Sequence, residues 1–352
     1  MSLRLDGRNM AKQTTLIGFV QGMKPKGYMD FIFDPVSQTA SFENKSKEDG
    51  ASLVTVRDGI RLWSSGRPID HLISRPISGQ ITLPFAKSAL QKAIRRGDVQ
   101  SALSLTNLMV AHWPLELLRR LAVIAVEDVE PVEGYEVIVW LMMAAKEYPL
   151  RRREQVFLRE YVAKLCKHLG IFVYRTRNPP PKRHGLAATD DQDKRNRALA
   201  IFHRARYGGM DGDVKMLYEA SRHYTRYPLG ELSLGGPCAL PRDAAVHPKI
   251  DMGCDPGKYD HCATIKDCTH FWDGIDFHGF PRMTREAAAS CGCGQEEMKN
   301  FIWTGYSALN VRKPLTIKRG DELRRRKDWL AISEAINGAK QKIWRRMLTS
   351  AE

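Results

Sequence analysis

Six of the seven cysteines in this 352-residue chain fall between Cys238 and Cys293, with histidines threaded among them. Cys254, His261, Cys262, Cys268, His270, Cys291 and Cys293 are all of types that ligate zinc, which takes four sulfur or nitrogen donors in a tetrahedron. The spacings are C-x-H and C-x-C, and no C-x-x-C knuckle aims two sulfurs at one metal. Two readings stand: a structural zinc drawn from Cys254, Cys262, Cys268, His270, Cys291 and Cys293, or reduced, partly buried thiols. Just beyond, "DGIDFHGFP" sets Asp273, Asp276 and His278 beside Trp272. A metal-dependent nuclease or hydrolase uses such groups, and a polar turn between helices contains them equally well. No nucleophile elbow or H-E-x-x-H accompanies them. Two basic stretches complete the inventory: Arg175, Arg177, Lys182 and Arg183 in "RTRNPPPKRHG", then Arg324, Arg325, Arg326, Lys327, Arg345 and Arg346 around Trp329 and Trp344. Guanidinium forks bind phosphate oxygens, and an exposed indole stacks on an unpaired base. An indole at helical spacing otherwise belongs to the core.

The charge balance points the same way as those arginines. Lys and Arg number 55 against 40 Asp and Glu, a net +15 that concentrates polyanions, nucleic acid first among them. No G-x-x-x-x-G-K-[ST] loop occurs, so neither nucleotide hydrolysis by that route nor a nucleotide cofactor is expected. "YGGMDGD" is glycine-rich but has two carboxylates and no lysine, which suits a tight turn between helices better than a phosphate cradle. No stretch of 18 apolar residues exists to span a membrane. The N-terminus lacks an apolar run behind basic residues, which argues for an intracellular chain. In a reducing compartment an odd number of cysteines needs no disulfide framework.

The elements that must position these groups are clearest after Pro84. Residues 1–83 are mixed, with strand-like "YMDFIFDP" and "SLVTVRDGIRLW" separated by the polar "SQTASFENKSKEDGAS", which reads as loop. Then "PFAKSALQKAIRR" puts Phe85, Ala89, Leu90, Ala93 and Ile94 on one helical face. Gly97 and Asp98 follow as a helix stop and an N-cap. A second helix carries Val99, Ala102, Leu103, Thr106 and Met109. Pro114 opens a third with Leu117, Leu118, Leu121, Ile124 and Ala125 inward, and Pro131 a fourth with Val137, Trp140, Leu141 and Ala144 inward. A fifth runs from about Arg151 to Leu169 with Phe157, Tyr161 and Leu165 inward. Five helices with short connections imply an antiparallel helical domain. Beyond the proline-rich break, two helices flank "YGGMDGD", and "RGDELRRRKDWLAISEAINGAKQKIWRRML" reads as one long basic helix.

"SALQKAIRRGDVQSALSLTNLM" followed by "RRLAVIAVEDV" resembles the C-terminal helical domain of the replication-associated recombination ATPases, AAA+ relatives of the clamp loaders. Ser88, Arg96, Gly97, Asp98, Ala102, Leu103, Arg119, Arg120, Leu121, Glu127, Asp128 and Val129 occupy that family's pattern over about residues 84–150. Residues 1–83 are too few to hold the AAA+ module that precedes the domain in the family, so no such module is expected. There the helical domain is an oligomerisation collar. The resemblance therefore implies an assembly element without a motor, with Arg119, Arg120, Glu127 and Asp128 at a subunit interface or on a solvated face. A second resemblance lies in "QTTLIGF", which matches the sliding-clamp-binding box of replication and repair proteins. Gln13, Leu16 and Phe19 fill its positions, and Val20 stands where a second aromatic is usual. The same run also suits the first strand of a domain.

The fold expected is mainly α: a collar-like antiparallel domain at 84–175, a small mixed α/β region at 1–83, a basic linker at 176–193, and a helical, Cys/His-containing region at 194–352. The function expected is that of a non-catalytic accessory factor in the nucleus or wherever DNA is replicated. It would bind DNA or RNA and a sliding clamp, and self-associate. The competing expectations are a nucleic-acid-packaging protein of a virion or organelle, and a metal-dependent nuclease.

Overall fold

The computed structural model describes residues 29–43, 50–65, 81–168, 192–224 and 273–349. Among these the chain is mainly α, with eleven α-helices and one four-stranded mixed sheet. The sheet comprises β1 (Met29–Asp34), β2 (Thr39–Phe42), β3 (Ser52–Arg57) and β4 (Ile60–Ser64), in the order β2-β1-β4-β3. Two antiparallel hairpins meet through the parallel pair β1–β4. The second hairpin turns on Asp58 and Gly59, whose φ values of 50° and 80° suit a two-residue loop that follows strand twist. β2 lies inside the stretch expected to be loop. Its Phe42 stacks on Phe31 of β1 with ring centroids 3.9 Å apart, so a cross-strand aromatic pair outweighs the polar composition around it.

The sheet is covered by α4 (Tyr135–Ala144), in which every residue is buried. Trp140 tilts against Phe33 at 4.7 Å and its indole N–H donates to the Phe31 carbonyl at 3.0 Å, so the helix is both packed and hydrogen-bonded to β1. Around α4 stand α1 (Leu83–Arg96), α2 (Val99–His112), α3 (Pro114–Asp128) and α5 (Arg152–Lys167), the expected helices in the expected order. Gly97 ends α1 at φ 70°, and the Asp98 carboxylate accepts from the Ser101 amide at 3.1 Å to start α2. α4 begins four residues later than Pro131 suggested, because Gly134 at φ 95° first completes a turn that brings Phe157 against its Cα.

α6 (Gln192–Arg206) and α7 (Asp211–Tyr224) flank the turn at Tyr207–Met210. The chain is described again through α8 (Arg282–Cys291), α9 (Gln295–Ile302), a π-helical turn at Trp303–Ser307, α10 (Pro314–Arg324) and α11 (Trp329–Thr349). The expected single basic helix is thus two. Trp329 packs across Gly305, where an added Cβ would lie 2.7 Å from its ring, and the chain must bend at 325–328 to bring it there. One hydrophobic cluster runs from Phe31 to Met347, crossing the divisions expected at residues 83 and 193. Among the described residues no helix is long and apolar enough to cross a membrane.

Candidate functional site

One face of α1 carries Lys87, Ser88, Gln91, Lys92 and Arg95, and it forms a wall of a cleft of about 490 Å³. Residues of α3, of α6, α7 and the turn between them, and Asp276, His278, Trp303 and Ser307 complete its lining. The charges are matched in pairs across these elements. Lys87 and Arg119 share Glu116. Arg95 donates to Asp128 at 2.7 Å and to Glu127 at 3.3 Å, while Gln91 donates to the same two carboxylates. Arg120 donates to the Gln91 side-chain carbonyl and lies 3.9 Å from Asp213.

The most enclosed pair is Lys92 with Asp276. Asp276 also accepts from the Ser307 hydroxyl at 3.0 Å, lies 3.0 Å from Nδ1 of His278, and accepts from the His278 amide at 2.9 Å. Lys92 reaches onward to Ser88 Oγ at 2.8 Å. Burial pulls the Lys92 ammonium down to about 8, a fall that the adjacent Asp276 charge partly opposes. Burial alone would raise the Asp276 carboxyl, but the His278 hydrogen bond and the Lys92 charge hold it well below the usual carboxylate range. Local sequence makes this contact possible. A Cβ on Gly274 would stand 2.5 Å from that of Ala89, so only glycine lets the 273–278 turn lie on α1.

Two cleft side chains differ from these. Arg204 of α6 is 3% exposed and donates only to the carbonyls of Gly208 (2.8 Å) and Arg119 (3.2 Å), with its Nε unpartnered. Among the described residues no carboxylate lies in ion-pair range of it. Trp303 opens the π-helical turn and leaves 43% of its surface exposed at the cleft rim.

Of the residues singled out in the sequence, Ser88, Arg119, Arg120, Glu127, Asp276 and His278 line this cleft. Asp128, expected at a subunit interface or solvated face, is instead in the interior, held by Arg95, Gln91 and the Asn310 amide. Arg324, Arg325, Arg326 and Lys327 are all exposed where α10 gives way to α11, and Arg345 and Arg346 are exposed toward the end of α11. Trp329 and Trp344 pack against the core. Asp273 and Asp276 each meet a cation, Arg96 at 3.3 Å and Lys92 respectively. Cys291 and Cys293 bring their sulfurs to 3.3 Å, and among the described residues no group of three or more His, Cys, Asp or Glu is placed to hold a metal. Gln13, Leu16, Phe19 and Val20, Arg175, Arg177, Lys182 and Arg183, and Cys254, His261, Cys262, Cys268 and His270 lie outside the described residues. Arg204 and Trp303 escaped sequence reasoning. Neither stands in a motif, and a buried arginine with no carboxylate in contact is visible only in three dimensions.

No family model, no curated protein and no solved structure matches the chain.

Proposed function

We propose that the protein is a non-catalytic accessory factor of DNA replication or repair, working where DNA is replicated. It holds nucleic acid on its basic surface, docks on a sliding clamp through Gln13, Leu16, Phe19 and Val20, and self-associates through its collar-like helices. The observation that supports it best is the exposure of Arg324, Arg325, Arg326, Lys327, Arg345 and Arg346 in a chain of net charge +15. One group lies just before α11 and the other near its end, about 25 Å apart by helical rise. That distance suits contact with phosphates several nucleotides apart. A structural zinc with Cys291 and Cys293 among its ligands belongs to the same proposal. Metal analysis of the purified chain should find about one equivalent, and trace zinc only would remove it.

The clamp is the discriminating partner. A peptide of residues 10–24 should bind a ring-shaped sliding clamp with micromolar affinity, about −8 kcal/mol, as followed by calorimetry. Burial of Leu16 and Phe19 would contribute roughly 1.5–3 kcal/mol each. Replacing both with Ala should abolish the heat, and Val20→Phe should tighten binding by restoring a second ring. Equal affinity of wild-type and double-Ala peptides would sink clamp docking. Nucleic-acid binding that persists without it would favour the packaging role.

A further inference from the structure

We infer that the cleft between α1, α3 and the α6–α7 turn is a nucleotide-binding site, with phosphate held beside Arg204 and Arg119 and the base laid on Trp303. This extends the nucleic-acid reading by naming the group recognised. It concerns a surface other than the exposed arginines of α10 and α11.

Lys87, Lys92, Arg95, Arg119, Arg120 and Arg204 line the cleft, against the carboxylates of Glu116, Glu127, Asp213 and Asp276. Each of those carboxylates is already engaged: Asp276 by Lys92, Glu127 by Arg95, Glu116 by Lys87 and Arg119 together, and Asp213 nearest Arg120. Arg204 hydrogen-bonds to carbonyls alone, with Asp213 as a more distant counter-charge. A guanidinium taken out of water with no carboxylate in contact is costly to keep, and burial lowers its proton affinity, a fall that the Asp213 charge only partly opposes. An anion entering the cleft supplies the contacting charge that Arg204 lacks. Guanidiniums favour phosphate because its oxygens accept two parallel N–H bonds.

The second observation is independent of charge. Trp303 is a large apolar ring left open to water on the rim of a polar cleft, 5.9 Å from the His278 ring. It sits at the first position of a π-helical turn, an irregularity that recurs at functional sites. A volume of about 490 Å³ is in the range of small-molecule sites, and a cation cluster with a stacking ring is what a nucleotide needs. The missing phosphate-binding loop bears on hydrolysis of a triphosphate and not on this mode of holding a nucleotide.

The ligand has two possible sources, a free mononucleotide or an unpaired unit of a strand. Calorimetry on the full chain tests both, using a nucleoside monophosphate, the matching nucleoside, inorganic phosphate, and a 5′-phosphorylated single-stranded hexamer. The monophosphate should bind and the nucleoside should not. Trp303→Ala should weaken the monophosphate about ten-fold, as loss of one stacked base implies, and leave inorganic phosphate unchanged. Arg119→Gln, at a partly exposed position that folding should tolerate, should weaken both. Tighter binding of the hexamer than of the monophosphate assigns the site to a strand, and the reverse assigns it to a free nucleotide. Wild-type protein that binds neither monophosphate nor hexamer overturns the proposal, as does equal affinity in the Trp303 and Arg119 variants. Duplex binding through Arg324–Arg326 is measured separately, so loss of one surface with retention of the other tells the two readings apart.

Discussion

Buried nitrogen bases are treated in two ways in this chain. Lys92 keeps its charge by meeting Asp276, whereas His203 gives its charge up. His203 is buried between the rings of Phe42 and Phe202, at 5.5 and 5.3 Å, with its Nε2 unpartnered. Burial, with a smaller contribution from the nearby Arg206 charge, pushes its proton affinity down to about 3. The sign of the consequence follows from linkage. Between that value and the ordinary histidine range near 6.5, the unfolded chain takes up a proton that the folded chain refuses. Stability from this site is therefore complete above about pH 6.5 and falls as pH drops toward 3. From pH 7 to pH 5 the loss should be about 2 kcal/mol, read as a shift in urea midpoint. His203→Gln cannot titrate and should lack this component. An identical pH dependence in wild type and variant would show that the ring is protonated in the folded state.

At the scale of elements, one side chain joins helices that the chain sequence keeps far apart. Arg312 is buried and donates to the carbonyls of Ile94 at the end of α1, and of Leu165, Cys166 and His168 at the end of α5, all at 2.7 Å. The last carbonyls of a helix have no partner within it, and a cation there also meets the negative end of the dipole. Arg312→Leu should destabilise the fold by about 3 kcal/mol or more, since several buried acceptors lose their donor. Arg312→Lys should rescue little, because one ammonium cannot span the same set. Denaturant unfolding measures both, and a loss under about 1 kcal/mol would mean that water replaces the guanidinium. Nothing in the sequence marks Arg312. By contrast α1 through α5 were legible, because Gly97, Asp98 and Pro114 mark the boundaries and the apolar spacing between them is helical. Asp58-Gly59 divides the strand-like "SLVTVRDGIRLW" into β3 and β4, a hairpin turn that the sequence reading leaves unmarked. β2 was hidden by its threonine and serine, and the bend between α10 and α11 by a run of arginines that are good helix formers. The cleft was half legible: Asp276, Arg119 and Glu127 stood out as types, but the Lys92–Asp276 contact spans 184 positions. No local pattern encodes such a pairing.

For the whole molecule, the net charge of +15 is spread unevenly between closely matched and weakly matched cations. In the cleft, cations are mostly matched by carboxylates within the fold. At the α10–α11 junction the matches are weak: Arg324 with Asp321 and Arg326 with Asp328 are exposed pairs, which contribute little to stability. Arg326 also lies over the Phe301 ring at 4.9 Å, an orientation that keeps its fork near the surface. Phosphates can displace such carboxylates at small cost, and each contact releases counterions. If Arg324, Arg325 and Arg326 each reach one phosphate, reversing all three to Glu should flatten the plot of log affinity against log salt by about 3 units, at about 0.9 per contact on duplex DNA. Fluorescence anisotropy with a short duplex between about 50 and 200 mM salt covers the useful range. Thermal unfolding should be nearly unchanged, because none of the three is buried. The same variant should leave nucleotide binding in the cleft intact. A slope that stays as steep as in wild type would move the duplex contact elsewhere on the chain. An affinity indifferent to salt in the wild type would remove duplex DNA from its partners.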